Sequence, residues 1–387
     1  MLSVTAIVLA ACSGGAGSTE PIKIGSIADL TGPTSDIGVF GAAGTKAYFE
    51  WKNENGGISG RKIEFLVADY EYKVPKAEEL YAQFVTQQKS VAFIGWGTGD
   101  TEAMRPKITA DKIPFMSASY AASLGDPKDT PYNFLVAPSY SDQLVVAQQY
   151  VVDQAKKAGK DVTKLKFAYL INNSPFGKSP VDAGKAHAKA NGIADPLEVP
   201  SQGPTADHTP QLTQIKDYGA THVFFQNVPS PPAKTMRDAK ALGLTSNIQF
   251  FCLNYCSHEL FIKLAGDASE NVLGVIPYSA DAEGAKVPLD YAKKKGINLA
   301  NGESGFVQGW YFGVIMTEGI ERTVKAGKPL TGENIKASLE SLKDFSTGGV
   351  SAPITFTATD HRGTRAIKVY QVKGGKWTAV SDFITAK

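Results

Sequence analysis

Histidines, cysteines, clustered carboxylates and glycine-rich turns are the residues from which this 387-residue chain could build chemistry. The five histidines, at 187, 208, 222, 258 and 361, fall in no paired ligand spacing. His187 is expected on a helix surface, and His208 and His361 as solvated groups in polar loops. Cys252 and Cys256, spaced Cys-x-x-x-Cys, suit a short-loop disulfide or two free thiols; with His258 alone nearby, they are too few to hold zinc, and no metal site is expected. Asp29, Asp69 and Glu71 sit near predicted strand ends, where capping and solvation are expected of them rather than acid–base work. The chain has no Gly-x-Ser-x-Gly elbow, no phosphate-binding Gly-rich Lys-Ser/Thr loop and no Gly-x-Gly-x-x-Gly; Gly95-Trp96-Gly97-Thr98-Gly99 has the wrong spacing for the last. No catalytic set and no cofactor site emerges, and an enzyme is not expected.

Binding chemistry is better represented. Gly95 to Thr101 joins an apolar strand to a helix, and its glycines permit close backbone approach while the helix start offers unpaired N–H groups to an anionic or amide oxygen. Thr98 is compatible with that role; Asp100, as an ordinary capping carboxylate, would compete with an anion. The turn Ser117 to Ala122 exposes main chain beside Tyr120, which could stack on a solute. Three later turns bring amides and rings after predicted strands: Asn172 to Phe176, Gln226 to Pro229, and Leu253-Asn254-Tyr255.

Those turns need a scaffold that gathers strand ends. Strand-like runs alternate with helical periodicity: Ile22 to Ile27, helix Gly38 to Asn55, Arg61 to Ala68, helix Pro75 to Gln88, Val91 to Gly95, helix Thr101 to Asp111, Ile113 to Met116, and Asn133 to Val136. A second series follows Pro138: helix Asp142 to Gly159, Leu165 to Ile171, helix Gly177 to Asn191, Thr221 to Gln226, helix Pro231 to Leu242, Ile248 to Phe251, and Val272 to Pro277. This alternation predicts an α/β protein of two doubly wound parallel sheets, whose ligands bind beyond the carboxyl ends of the strands. Helices near Pro288 to Lys295, Phe306 to Ala326 and Thr331 to Leu342 are expected to return to the first lobe, before short strands at Ile354 to Phe356, Ala366 to Gln371 and Trp377 to Val380. The expected division is residues 1–20 as leader and tether, 21–138 plus 277–354 as lobe 1, and 139–276 plus 355–387 as lobe 2. The chain would cross near Ala137 to Tyr140, Val275 to Ser279 and Ile354 to Phe356.

Composition fits this size and class. The chain is 43% hydrophobic and 20% charged, enough apolar material for two cores. Forty basic residues nearly balance 38 acidic ones, so a net charge of +2 gives no field for nucleic acid or an anionic membrane surface. The apolar stretch Leu2 to Ala11 is too short to span a bilayer, which takes roughly 20 residues. Leu9-Ala10-Ala11-Cys12, followed by the Ser/Gly-rich run Ser13 to Thr19, looks like a bacterial lipobox and flexible tether, so Cys12 is expected to carry lipid and hold the chain at a cell surface or in the periplasm.

The opening Ile24-Gly25 with Leu30-Thr31-Gly32-Pro33, then Gly56-Gly57-Ile58-x-Gly60-Arg61, and Phe93-Ile94-Gly95 followed by a helix and Ile113-Pro114-Phe115-Met116, resemble type I periplasmic binding proteins, in particular the leucine/isoleucine/valine-binding branch that serves branched-chain amino acid ABC importers. The resemblance runs from about Pro21 to the C-terminus. It implies a hinge of three crossovers, closure on a small-molecule ligand, a monomer, and ABC permease subunits as partners. It also implies that the turns Gly97, Thr98, Gly99 and Ser119, Tyr120, Ala121 hold a ligand carboxylate, with Phe176 and Val228 opposite; Asn227 and Tyr255, in the second-lobe turns read above, are expected to add an amide and a ring there. The position matching Asn254 is usually acidic in the family and pairs with a ligand ammonium. An amide there supplies no full charge, which opens an aromatic or aliphatic carboxylate or an amide-like solute as alternatives. A sensory ligand-binding module on the same fold is the other alternative function.

Overall fold

The structure is a computed structural model that describes residues 20–387; Cys12 and the tether lie outside the described residues. Four parallel strands open the chain: β1 (Ile22–Ala28), β2 (Ile63–Asp69), β3 (Ala92–Gly95) and β4 (Phe115–Ser117), in the order β2-β1-β3-β4. Between them run α1 (Ser35–Glu54), α2 (Val74–Ala82, continued by a π-turn over Gln83–Gln87) and α3 (Thr98–Asp111). The chain then enters α4 (Tyr140–Lys157) and a second unit: β5 (Phe167–Ile171), α5 (Pro175–Lys178), α6 (Val181–Ala190), β6 (Leu197–Pro200), α7 (Thr209–Tyr218), β7 (His222–Gln226), α8 (Ser230–Ala241), β8 (Gln249–Cys252), α9 (Glu259–Ala265) and β9 (Leu273–Ile276). After α10 (Lys286–Lys295), α11 (Glu303–Lys325) and α12 (Gly332–Leu339), strands β10 (Ala366–Lys373), β11 (Lys376–Ala379) and β12 (Ile384–Thr385) finish the chain.

The second sheet has the order β11-β10-β9-β8-β7-β5-β6, with β12 beside β10. Strands β5 to β9 are parallel, and β10 adds antiparallel at the β9 edge. Its central strands are apolar at nearly every position because helices cover both faces. Alternation then sorts them: Phe225 and Phe250 enter the core on one side, Phe224 and Phe251 the core on the other. The result is the expected fold class, two α/β lobes.

Helix α11 packs on α1 in the first lobe, where glycines let two backbones touch. A Cβ at Gly44 would stand 1.9 Å from the Phe306 carbonyl oxygen, and the Thr45 hydroxyl donates to the Gly309 carbonyl at 2.8 Å. The expected helix over Gly177 to Asn191 is instead two helices, because Pro180 cannot continue α5 and starts α6. β6 and β12 are short and were not expected, whereas Asn133 to Val136 and Ile354 to Phe356 make only isolated bridges.

The crossovers lie side by side. Leu135 N–H donates to His361 O at 2.9 Å, Gly363 N–H to Leu135 O at 2.7 Å, and the Tyr278 hydroxyl to Val136 O at 2.9 Å. At the expected third passage, Ile354 and Phe356 are both buried in the first-lobe core. His361 is not solvated there. Its ring stacks on Phe134 at 4.0 Å, and its nitrogens face Asn133 O and Glu340 Oε1, each at 3.0 Å. His208 is likewise buried, between the Thr235 hydroxyl at 2.6 Å and Gly203 O at 2.9 Å. Sequence polarity misplaces both rings because their neighbours in the fold, not in the chain, bury them.

Candidate functional site

The turns leaving β3 and β4 face those leaving β5, β7 and β8 across the seam between the lobes, and a narrow cavity lies where they meet. Gly97 and Thr98, from the turn after β3, form one wall; Phe176, Val228 and Tyr255, from the second lobe, form the other. Thr34, Tyr72, Trp96, Ala118 and Tyr140 complete it. The lobes meet so closely that the free volume is only about 20 Å³. That is room for a water molecule, so a larger solute enters only when the lobes part.

The remaining expected contacts support these walls rather than line them. Ser119 Oγ is 2.7 Å from Thr98 Oγ1, and Ala121 N–H lies 3.4 Å from the same Ser119 oxygen. Tyr120 stacks on Tyr255 with ring centres 6.2 Å apart, and its hydroxyl accepts from Gln308 Nε2 at 2.7 Å. Gly99 faces across the seam, where a Cβ would meet Pro175 Cγ at 3.8 Å. Asn227 Oδ1 accepts from Val228 N–H at 2.9 Å and so fixes the turn. Asn254 is buried and its main-chain N–H donates to Gln143 Oε1 at 3.2 Å.

Five lining residues escaped the sequence reading. Trp96 and Ala118 sit inside turns already singled out, so turn position was their signal. Tyr140 opens α4 at the first crossover, and its hydroxyl reaches back to Ala118 O at 3.2 Å. Thr34 accepts from Trp96 Nε1 at 2.8 Å, a contact between residues far apart in sequence. Tyr72, beyond the end of β2, carried no signal. Asp29 and Asp69 cap turns beside the site: Asp29 accepts from Gly32 N–H, Thr34 N–H and the Thr34 hydroxyl, and Asp69 from Leu30 N–H, Glu71 N–H and the Thr31 hydroxyl.

Helix α3 begins at the cavity wall, with Gly97 as its extended N-cap. Asp100 accepts from Gly97 N–H at 3.1 Å and from the Tyr70 hydroxyl at 3.2 Å, and burial pushes its carboxyl up to about 6. It caps from behind the wall and does not line the cavity. No carboxylate or ammonium side chain is among the lining residues. The site therefore offers hydroxyls, main-chain groups, a helix N-terminus and five aromatic rings, a setting for a small apolar solute with one oxyanion. A larger groove of about 540 Å³ runs along the same seam, but its walls mix Glu259, Glu303 and Asp281 with Lys263 and Lys376, and it lacks the convergent turns. Next to β8, the sulfurs of Cys252 and Cys256 are joined, with Cα atoms 5.0 Å apart.

The comparisons agree with this geometry. The family model described as periplasmic binding protein matches residues 21–376. The Leu/Ile/Val-binding protein homolog 4 of Brucella abortus (strain 2308) is 24% identical over 294 residues, covering 73% of this chain and 68% of the relative. A branched chain amino acid ABC transporter structure from Thermus thermophilus with bound valine superposes with a TM-score of 0.87 at 28% identity, covering 95% of this chain and 97% of that one. The substrate binding protein of an Aeropyrum pernix ABC transporter gives 0.84 at 26% identity, covering 96% and 97%. With the family matched across both lobes and the strand ends converging on one narrow cavity, the chain belongs to the periplasmic binding protein family, as a solute-binding protein of the kind that serves branched-chain amino acid ABC transporters.

Proposed function

We propose that this protein captures a small hydrophobic amino acid of the branched-chain class between its lobes and presents the closed form to an ABC permease. The observation that carries the reading is the narrow aromatic cavity with the first turn of α3 in its wall. Thr98 and Gly99 bring unpaired main-chain N–H groups that a ligand carboxylate can occupy, while Trp96, Phe176 and Val228 surround its apolar side. No carboxylate faces the ligand ammonium, so hydroxyls and main-chain oxygens must meet it. Binding, not catalysis, is the chemistry that such a lining supports.

A ligand held only by the native state adds about 2.7 kcal/mol at a hundred times its Kd. Thermal unfolding with L-valine, L-leucine, L-isoleucine and their deaminated acids therefore tests the proposal, and the paired acids measure what the ammonium contributes. A melting temperature that none of the amino acids raises would reject this ligand class. We further propose the lobe boundaries 21–138 with 277–356 and 139–276 with 357–387, the last moved past Phe356 because Ile354 and Phe356 pack in the first-lobe core, and a monomer tethered through lipidated Cys12. Failure of radiolabelled palmitate to mark the protein in the producing cell, or light scattering of a dimer, would reject the tether or the monomer.

A further inference from the structure

Two helix starts at the seam have no side-chain cap of their own, and each is met by a carboxylate from the opposite lobe. Helix α8 begins Ser230-Pro231-Pro232 after Pro229, so Ser230 carries the sole main-chain N–H of its first three residues. Asp36, in the first turn of α1 on the other lobe, accepts from the Ser230 hydroxyl at 2.8 Å, and the Ser230 N–H also faces this carboxylate. The arrangement is repeated in reverse at α11. Its N-cap is Gly302, which has no side chain to offer, and Glu259 at the start of α9 accepts from the Ser304 hydroxyl at 2.8 Å and from Ser304 N–H at 3.4 Å. Nearby, the His258 ring stacks on Phe40 at 6.0 Å, also across the seam.

We propose that Asp36 and Glu259 are closure-positioning residues: each lobe holds one helix of the other by its first turn, through contacts that exist only while the lobes are together. This rests on the reading of the molecule as a receptor that closes on a solute, but neither residue lines the cavity, so the effect is on closure and not on ligand contact. A carboxylate at a helix N-terminus satisfies an orphan N–H and opposes the helix dipole, and loss of such a cap weakens the local equilibrium by about two- to thirty-fold. The two reciprocal caps make closure depend on both seam edges at once.

Hydrogen–deuterium exchange of the full chain, with and without saturating L-valine, tests this directly. Asp36→Ala should speed exchange of the Ser230 amide by about two- to thirty-fold, and Glu259→Ala that of the Ser304 amide, each on the lobe that was not mutated. Asp36→Asn and Glu259→Gln keep an acceptor oxygen and should restore part of the protection. Unchanged exchange at Ser230 in Asp36→Ala and at Ser304 in Glu259→Ala, with or without L-valine, overturns the assignment. Because the readout is intramolecular, failure of L-valine to bind would count against the proposed ligand class and leave the caps judged on their own result.

Discussion

Replacing Tyr255 by Phe removes one oxygen whose bonds all cross the seam. The hydroxyl donates to Ala118 O and accepts from Gln308 Nε2 at 3.1 Å, and both partners belong to the first lobe. Neither is left bare by the change, since Ala118 O keeps the Tyr140 hydroxyl and Gln308 keeps that of Tyr120. No buried group is orphaned, so the loss is that of two ordinary hydrogen bonds, about 1.5 kcal/mol in total. That is about a tenfold decrease in the closing constant, and affinity falls in proportion when the free protein is mostly open. Titration calorimetry with the tightest amino acid from the thermal panel should show the Kd rising about tenfold, while the denaturant midpoint of the ligand-free protein stays put. Two results would refute the reasoning. An affinity within about a factor of two of the wild type would mean that the bonds are absent from the liganded form. A lowered midpoint without ligand would mean that Tyr255 supports the fold itself.

Two further outcomes follow from packing and charge. In Gly44→Ala the new methyl would overlap the Phe306 carbonyl of α11, so the helices must separate at a cost of about 3 kcal/mol; chemical denaturation that shows no loss would contradict the close α1–α11 contact. Asp100 has a folded pKa raised from 3.8 to about 6 by burial, so its contribution is present below the unfolded value and is lost as pH rises through the folded one. Relative to Asp100→Asn, the wild type should lose up to roughly 3 kcal/mol between pH 4 and 6; a difference in unfolding free energy that stays flat over that range would show the carboxylate to be solvated.

By itself the sequence determined the fold class, because the alternation of apolar runs with helical periodicity admits little besides covered parallel sheets. It also marked the turns after β3 and β4 and those after β5, β7 and β8, since the strand-to-helix direction of each unit aims them at one side. Gly97, Thr98, Phe176, Val228 and Tyr255 were legible in this way. What only the tertiary structure decided was depth: which residues of each turn reach the cavity and which brace it. Ser119, Tyr120 and Asn227 have the right chemistry and the right turns but spend it on Thr98, Gln308 and Val228, while Tyr72 and Thr34 line the site without any local pattern. The same cause buried His208 and His361 and set Asp36 and Glu259 against helix starts of the opposite lobe. Periodicity records how a segment meets its own sheet, whereas contacts across a seam depend on how two finished lobes are set against each other, and no short-range spacing encodes that.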